Sequence, residues 1–237
     1  MRINNFNIFL TGCLALCLFT GVPLSSSASS PLALFTKDTI PERQVLYNGR
    51  LWRNLHSQVK GDQFLFSREF TPGTVTMNGN TFKNVSLRYD ILNDEVLTPV
   101  SRSLAIQLNR ELVDSFSMSY QGRQYRFARF SDDSLKGVKG YLHVLYSGRC
   151  ALYVKYKKEI ELLAVDGKYD QFFQIQKIYF VNDGEIFTVT GKMDLLRIMD
   201  DKKSLIKDYI KKSRLKMSKN NPESFTPLVR FYDGLVK

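Results

Sequence analysis

Turn dipeptides punctuate this chain at short intervals. Asn48-Gly49, Asn78-Gly79, Gln121-Gly122, Ser147-Gly148, Asp166-Gly167 and Asp183-Gly184 divide residues 45–190. Asn-Gly and Asp-Gly suit the left-handed backbone of a type I′ turn, so several of these pairs are expected to close β-hairpins. The segments between them alternate. Val85, Leu87, Tyr89 and Ile91 share one face of a strand, and Ser86, Arg88 and Asp90 share the other. Leu152, Val154 and Tyr156 oppose Tyr153, Lys155 and Lys157 in the same way. Period-two alternation of this kind marks half-buried strands. Leu142-His143-Val144-Leu145-Tyr146 is apolar on both faces and reads as a central strand covered on each side.

Helical spacing begins only after Gly191. Leu195, Leu196, Ile198 and Met199, then Leu205, Ile206, Tyr209 and Ile210, recur at helical intervals, with Lys202, Lys203, Lys207, Lys211 and Lys212 on the remaining surface. Asp194 or Asp201 suits a helix start, and Asn220-Asn221-Pro222 suits a stop. Leu228, Phe231, Tyr232 and Leu235 form a last amphipathic stretch, with Pro227 near its beginning. The expected fold class is therefore mainly β (α+β). An antiparallel meander of roughly ten strands forms a sandwich or a curled half-barrel, with short C-terminal helices packed on it. The body spans 45–191 and the helical segment 192–237.

The N-terminus has a separate purpose. Arg2 precedes an apolar run from Ile8 to Phe19, and Ser26-Ser27-Ala28 supplies the small residues of a signal-peptidase site. Residues 1–28 thus read as an export signal, followed by an extended lead-in over 29–44 that holds Pro31 and Pro41. The apolar run is broken by Thr11, Gly12, Thr20, Gly21 and Pro23, well short of the ~20 apolar residues of a spanning helix. Integral membrane residence after cleavage is not expected. Leu10-Thr11-Gly12-Cys13 has the residue types of a lipobox, so a lipoprotein anchored at Cys13 is the alternative to a soluble periplasmic or secreted form.

Export sharpens what composition implies. Removing 28 residues from 237 leaves 209, enough for one substantial core. Seventeen Phe and 12 Tyr against one Trp point to a core built from aromatic sheet faces. The chain carries a formal charge of +11, and the signal contributes only Arg2. Nucleic acid is not the expected partner outside the cytoplasm. Anionic envelope polymers, an apolar ligand or another envelope protein are. Of three cysteines, Cys13 and Cys17 lie in the signal, so Cys150 has no internal disulfide partner. It reads as a buried thiol. The alternative is a nucleophile with His143 as its base.

Motifs for cofactors and common catalytic chemistry are missing: GxSxG, HExxH, the phosphate-binding loop and the dinucleotide fingerprint. No cofactor or metal is expected from two histidines, of which His56 lies in a polar stretch and His143 on an apolar strand. The carboxylate pairs Asp94-Glu95, Asp132-Asp133 and Asp200-Asp201 read as turn and cap residues, because neighbours on a strand face opposite ways. The most suggestive surface is the run from Tyr120 to Phe130. Tyr120, Arg123, Tyr125, Arg126, Phe127 and Arg129 interleave guanidinium groups with rings, as sites for anionic or planar ligands do. An amphipathic strand with Arg stems laid over apolar surface has the same pattern.

The block Gly-Thr-Val-Thr-Met-Asn-Gly-Asn-Thr-Phe-Lys-Asn-Val-Ser-Leu-Arg-Tyr-Asp-Ile (73–91) resembles one found in uncharacterised exported proteins of Bacteroidota-type bacteria. The order of a Tyr-rich strand pair (141–156), a hairpin (172–189) and a Lys-rich helical end (202–237) is similar to theirs. The resemblance implies export and architecture and carries no functional residue. Two functional readings follow. One is a non-catalytic binding or structural module of the envelope. The other is a periplasmic hydrolase whose carboxylates converge only in three dimensions.

Overall fold

The computed structural model describes residues 44–131, 135, 137–162 and 169–236. The expected signal, the lead-in up to residue 43, Asp132-Asp133 and the Asp166-Gly167 turn lie outside them. The described strands are β1 (Arg50–Leu51), β2 (Thr71–Met77), β3 (Asn80–Asp90), β4 (Glu95–Pro99), β5 (Ala105–Gln107), β6 (Val113–Tyr120), β7 (Arg123–Phe130), β8 (Gly140–Ser147), β9 (Ala151–Glu161), β10 (Gln171–Asn182) and β11 (Glu185–Val189). Three helices follow: α1 (Lys192–Ile198), α2 (Lys203–Lys212) and α3 (Thr226–Leu235).

Local turn chemistry sets the hairpins. Asn78-Gly79, Gln121-Gly122 and Asp183-Gly184 all adopt positive φ and join β2 to β3, β6 to β7 and β10 to β11. Left-handed backbone at both central residues matches the twist of the flanking strands. Two expected turns differ. Ser147 still belongs to β8, and the link to β9 is Gly148-Arg149-Cys150, with the Gly148 N–H donating to the Cys150 carbonyl at 2.9 Å. Asn48-Gly49 closes no hairpin. Asn48 ends a single helical turn over Val45–Tyr47, and Gly49 lies against the Gln107 carbonyl, where a Cβ would collide.

All neighbouring strands are antiparallel, in the order β1-β5-β4-β3-β2-β6-β7-β8-β9-β10-β11. β6 to β11 run as a meander, while β2 to β5 turn the other way, and β2 joins the two arms. The sheet is open at β1 and β11, yet it curls. Five strands round from β3, the Ile91 carbonyl accepts from the Lys158 N–H of β9 at 3.0 Å. Residues 60–65 lace the same seam. Leu65 donates to the Tyr89 carbonyl, Ile91 to Gln63, and Phe172 to Lys60. Of the two expected architectures, the chain adopts the curled single sheet and not the sandwich.

The concave face carries the core. Tyr89, Phe116, Phe127 and Tyr141 are buried, with ring centroids 4.7–5.9 Å apart. Burying a large apolar side chain contributes roughly 1.5–3 kcal/mol, and aromatic pairing adds about 1 kcal/mol. Val85, Leu87 and Ile91 of the alternating face are buried with them. The opposite face is less polar than alternation implies. Asp90 is fully buried because its carboxylate accepts from Gln63, Asn93 and the N–H groups of Leu92 and Asn93. Arg88 lies over the rings of Trp52, Phe64 and Phe70.

The seam is closed by Asp94. Its carboxylate accepts from the Tyr89 hydroxyl at 2.5 Å, from Arg110 at 2.6 Å and from the Tyr141 N–H at 3.3 Å, and pairs with Lys155 at 2.8 Å.

The helices cover the β8–β11 arm. Asp194 accepts from the Thr190 and Gly191 N–H groups and so starts α1. α1 packs on β11 and α3 on β8 and β9. Leu195, Leu196, Met199, Ile206, Phe225, Leu228, Val229 and Tyr232 join the same core. Two expected details change. Leu205 is 51% exposed, and Val229 rather than Phe231 is buried in α3.

Candidate functional site

β7 and β8 part company before either ends. Their register runs from Phe130↔Gly140 to Phe127↔His143 and stops there, and β8 bulges between Val144 and Tyr146 on its β9 side. β7 continues through Arg126 to Arg123, with register partners only on β6. Across a two-residue hairpin, Tyr120 and Arg123 exchange ladder hydrogen bonds, as do alternate pairs beyond them. Gln124, Arg126 and Ala128 therefore aim their main-chain groups toward β8. Ala128 meets Leu142, the Phe127↔His143 pairing brings the Arg126 carbonyl to the Val144 N–H, and Gln124 lies beyond the last pair of the two strands.

The first half of α3 and the turn before it complete the gap as a cleft of ≈ 730 Å³. From the sheet it is lined by Arg123, Gln124, Tyr125, Arg126, His143, Val144 and Leu145. From the tail come Tyr209, Glu223, Thr226, Pro227, Arg230 and Phe231. Tyr209 and Phe231 stack face to face at 4.0 Å with only 4° between their planes, so a packed pair of rings lines the tail side. Arg123, Arg126 and Arg230 face one carboxylate, Glu223. None of these three arginines forms an ion pair among the described residues, and the Arg230 guanidinium lies 5.8 Å from the Tyr146 ring centroid. An excess of fixed positive charge beside a low-dielectric wall attracts anions.

His143 lines the cleft and is buried. Its Nδ1 lies 3.3 Å from the Tyr156 hydroxyl, and its ring packs on Tyr125, Phe127 and Tyr156. Burial, and then the charge of Arg126, push the imidazole down to about 4. It is thus a neutral side chain and a weak base. Burial first, then Glu223 and Tyr125, raise the Tyr156 phenol above its ordinary value.

The six residues expected to bind divide evenly. Arg123, Tyr125 and Arg126 line the cleft. Tyr120, Phe127 and Arg129 do not. Tyr120 stacks on Phe66 at 4.7 Å, and Phe127 is committed to the interior. Arg129 donates to the carbonyls of Val113 and Glu111 at 2.9 and 3.1 Å, so it ties down the loop before β6. Sequence reasoning missed the tail's contribution. The one available signal was Arg230, a cation set inside the apolar stretch Leu228–Tyr232.

The other candidates are structural. Cys150 is buried, its thiol 3.9 Å from the Val229 carbonyl and its N–H donating to Asp233 at 2.8 Å. Burial, with Asp233 beside it, pushes the thiol up to about 12. His143 is engaged elsewhere, so the pair needed for a nucleophile does not form. Asp200 pairs with Lys203 and Asp201 accepts from the Tyr232 hydroxyl. His56 meets the edge of Phe172. Among the described residues no cluster of His, Cys, Asp and Glu is arranged to hold a metal, and no helix is long and apolar enough to cross a membrane. Comparison with protein-family models, curated proteins and solved structures finds no match to this chain.

Proposed function

We propose that this chain is an exported, non-catalytic binding module of the cell envelope, and that its seat is the cleft between β7, β8 and α3. The observation that carries the reading is the set of three guanidinium groups, none ion-paired among the described residues, around a cleft walled by Tyr125, Tyr209 and Phe231. Guanidinium groups match planar anions and rings match flat or apolar bodies, so the favoured ligand carries both an anionic group and an apolar one. Catalysis is disfavoured by the lining. Its one imidazole is a weak base, and it holds one carboxylate where acid–base chemistry on a glycosidic bond needs two. The hydrolase alternative gains nothing from Asp94, Asp200 or Asp201, each of which is occupied by a neighbouring cation or hydroxyl.

Naphthalene-1-sulfonate, which joins an aromatic body to an anion, tests the seat by titration calorimetry. Binding should weaken about tenfold in Arg126→Ala and in Arg230→Ala, and should fall as salt rises. Binding that ignores both substitutions would place the site elsewhere. Export rests on residues 1–28. Intact-mass analysis of protein recovered from the source cells should find a chain starting near Ser29. A diacylated species starting at Cys13 would make it a tethered lipoprotein instead.

A further inference from the structure

The tail concentrates the charge of the molecule. Residues 192–219 hold ten Lys and Arg against four Asp, a net of +6 out of the chain's +11. Three of the four carboxylates are engaged. Asp194 caps α1, Asp200 pairs with Lys203 at 2.6 Å, and Asp201 accepts from the Tyr232 hydroxyl. The fourth, Asp208, is exposed on α2. Lys207, Lys211, Lys212, Arg214, Lys216 and Lys219 are exposed and form no ion pair among the described residues. Lys203, Lys207 and Lys211 recur at i, i+4 along α2 and so share one stripe. Like charges at this spacing weaken a helix, a cost that an anionic partner removes. Two features set this face apart from the cleft. Its cations are eight Lys and two Arg, whereas those of the cleft are all Arg. Leu205 stands among them on α2, 51% exposed.

We propose that the outer face of α2 and the turn after it (213–219) form a docking surface for an anionic lipid bilayer. This surface does not depend on the cleft being a ligand seat. An ammonium group is a point charge on a flexible stem, suited to a plane of many phosphates, whereas a guanidinium fork suits one fixed anion. The exposed Leu205 chooses between anionic partners. A dissolved polyanion gains nothing from it. The boundary between headgroups and acyl chains accepts it, while lysine stems extend toward the phosphates. α2 is about 15 Å long, too short to span, so the contact is peripheral.

The test is vesicle co-sedimentation of the processed chain, from Ser29 onward. Vesicles of phosphatidylglycerol mixed with phosphatidylcholine should bind it at least about tenfold more tightly than phosphatidylcholine alone, with a difference that shrinks as salt rises. Lys207→Ser combined with Lys211→Ser should weaken vesicle binding about thirtyfold, and Asp208→Ser should strengthen it about fivefold. Leu205→Ser should weaken it about fivefold. Lys83→Ser with Arg102→Ser removes the same charge from exposed positions on the β3–β5 arm and should leave binding unchanged. Melting temperatures equal to the wild type establish that each variant is folded. Naphthalene-1-sulfonate binding in the Lys207/Lys211 variant should stay at the wild-type level, so this surface and the cleft succeed or fail separately. Equal binding to the two vesicle types overturns the proposal. So does an equal loss in the Lys83/Arg102 variant, which would assign the attraction to net charge alone. Binding of soluble polyphosphate through Lys207 and Lys211, with no retention by vesicles, would replace the bilayer by a dissolved polyanion.

Discussion

Phe127 and His143 face each other across β7 and β8 with ring centroids 5.2 Å apart, and no further pair of these two strands follows them. The pair is the root of the cleft. On one side of it the sheet is continuous and packs the interior rings. On the other, two strands separate and the tail fills part of the space. A buried neutral imidazole at this junction links the stability of the fold to the state of the site.

That link has a pH signature. The unfolded chain protonates His143 near 6.5, whereas burial holds the folded imidazole at about 4. As pH falls through this window the unfolded state takes up the proton first, so stability is full above about pH 6.5 and declines toward pH 4. The loss approaches ~3 kcal/mol at the acid end. Urea midpoints at pH 7 and pH 4.5 should differ in the wild type, and the difference should shrink in His143→Phe. Equal shifts in both proteins would show that other groups govern the acid limb.

Asp94 should contribute strongly to stability. It has a φ of +61°, which Asn also tolerates, so Asp94→Asn removes charge with little backbone cost. Lys155, whose side chain is only 20% exposed, then loses its counter-ion. Breaking a pair this sheltered should lower stability by about 3 kcal/mol. A double variant with Lys155→Met should recover part of that loss. If Asp94→Asn melts like the wild type, the seam is held by its main-chain bonds without help from Asp94.

Cys150→Ala should cost about 1–2 kcal/mol, the range of a small cavity, and leave ligand binding unchanged. With the thiol held at about 12, native protein should react with a maleimide far more slowly than urea-unfolded protein. Rapid labelling of the folded form would contradict its burial.

Truncation after Gly191 removes Leu195, Leu196, Met199, Ile206, Phe225, Leu228, Val229 and Tyr232 from the common core. At roughly 1.5–3 kcal/mol for each large side chain, the body cannot remain equally stable. The truncated chain should melt lower and bind 8-anilinonaphthalene-1-sulfonate. Unchanged melting with no dye signal would mean that the tail is dispensable to the fold.

Much of the architecture was written locally. Val85, Leu87, Tyr89 and Ile91 reach the core because period-two alternation gives a strand only one apolar face to bury. Asn78-Gly79, Gln121-Gly122 and Asp183-Gly184 close hairpins because Gly takes left-handed backbone at no steric cost and Asn and Asp tolerate it. Gln121 is the one of these positions whose residue type does not favour it. The helical spacing after Gly191 likewise identified a tail that must pack. These features depend on neighbours within a few positions, and a linear reading contains them.

The site was only half legible, for a physical reason. Arg123, Tyr125 and Arg126 stood out by composition, but so did Tyr120, Phe127 and Arg129, and nothing in the linear run separates the two sets. What separates them is where β8 leaves β7, which a bulge at Val144–Tyr146 and the packing of α3 decide together. Arg230 and Phe231 enter the cleft from about a hundred residues away in sequence. Strand alternation says which side chains share a face. Only the tertiary fold, through the divergence of two strands and the helix set into the opening, decides which of them face a cavity, which fill the core and which bind the backbone.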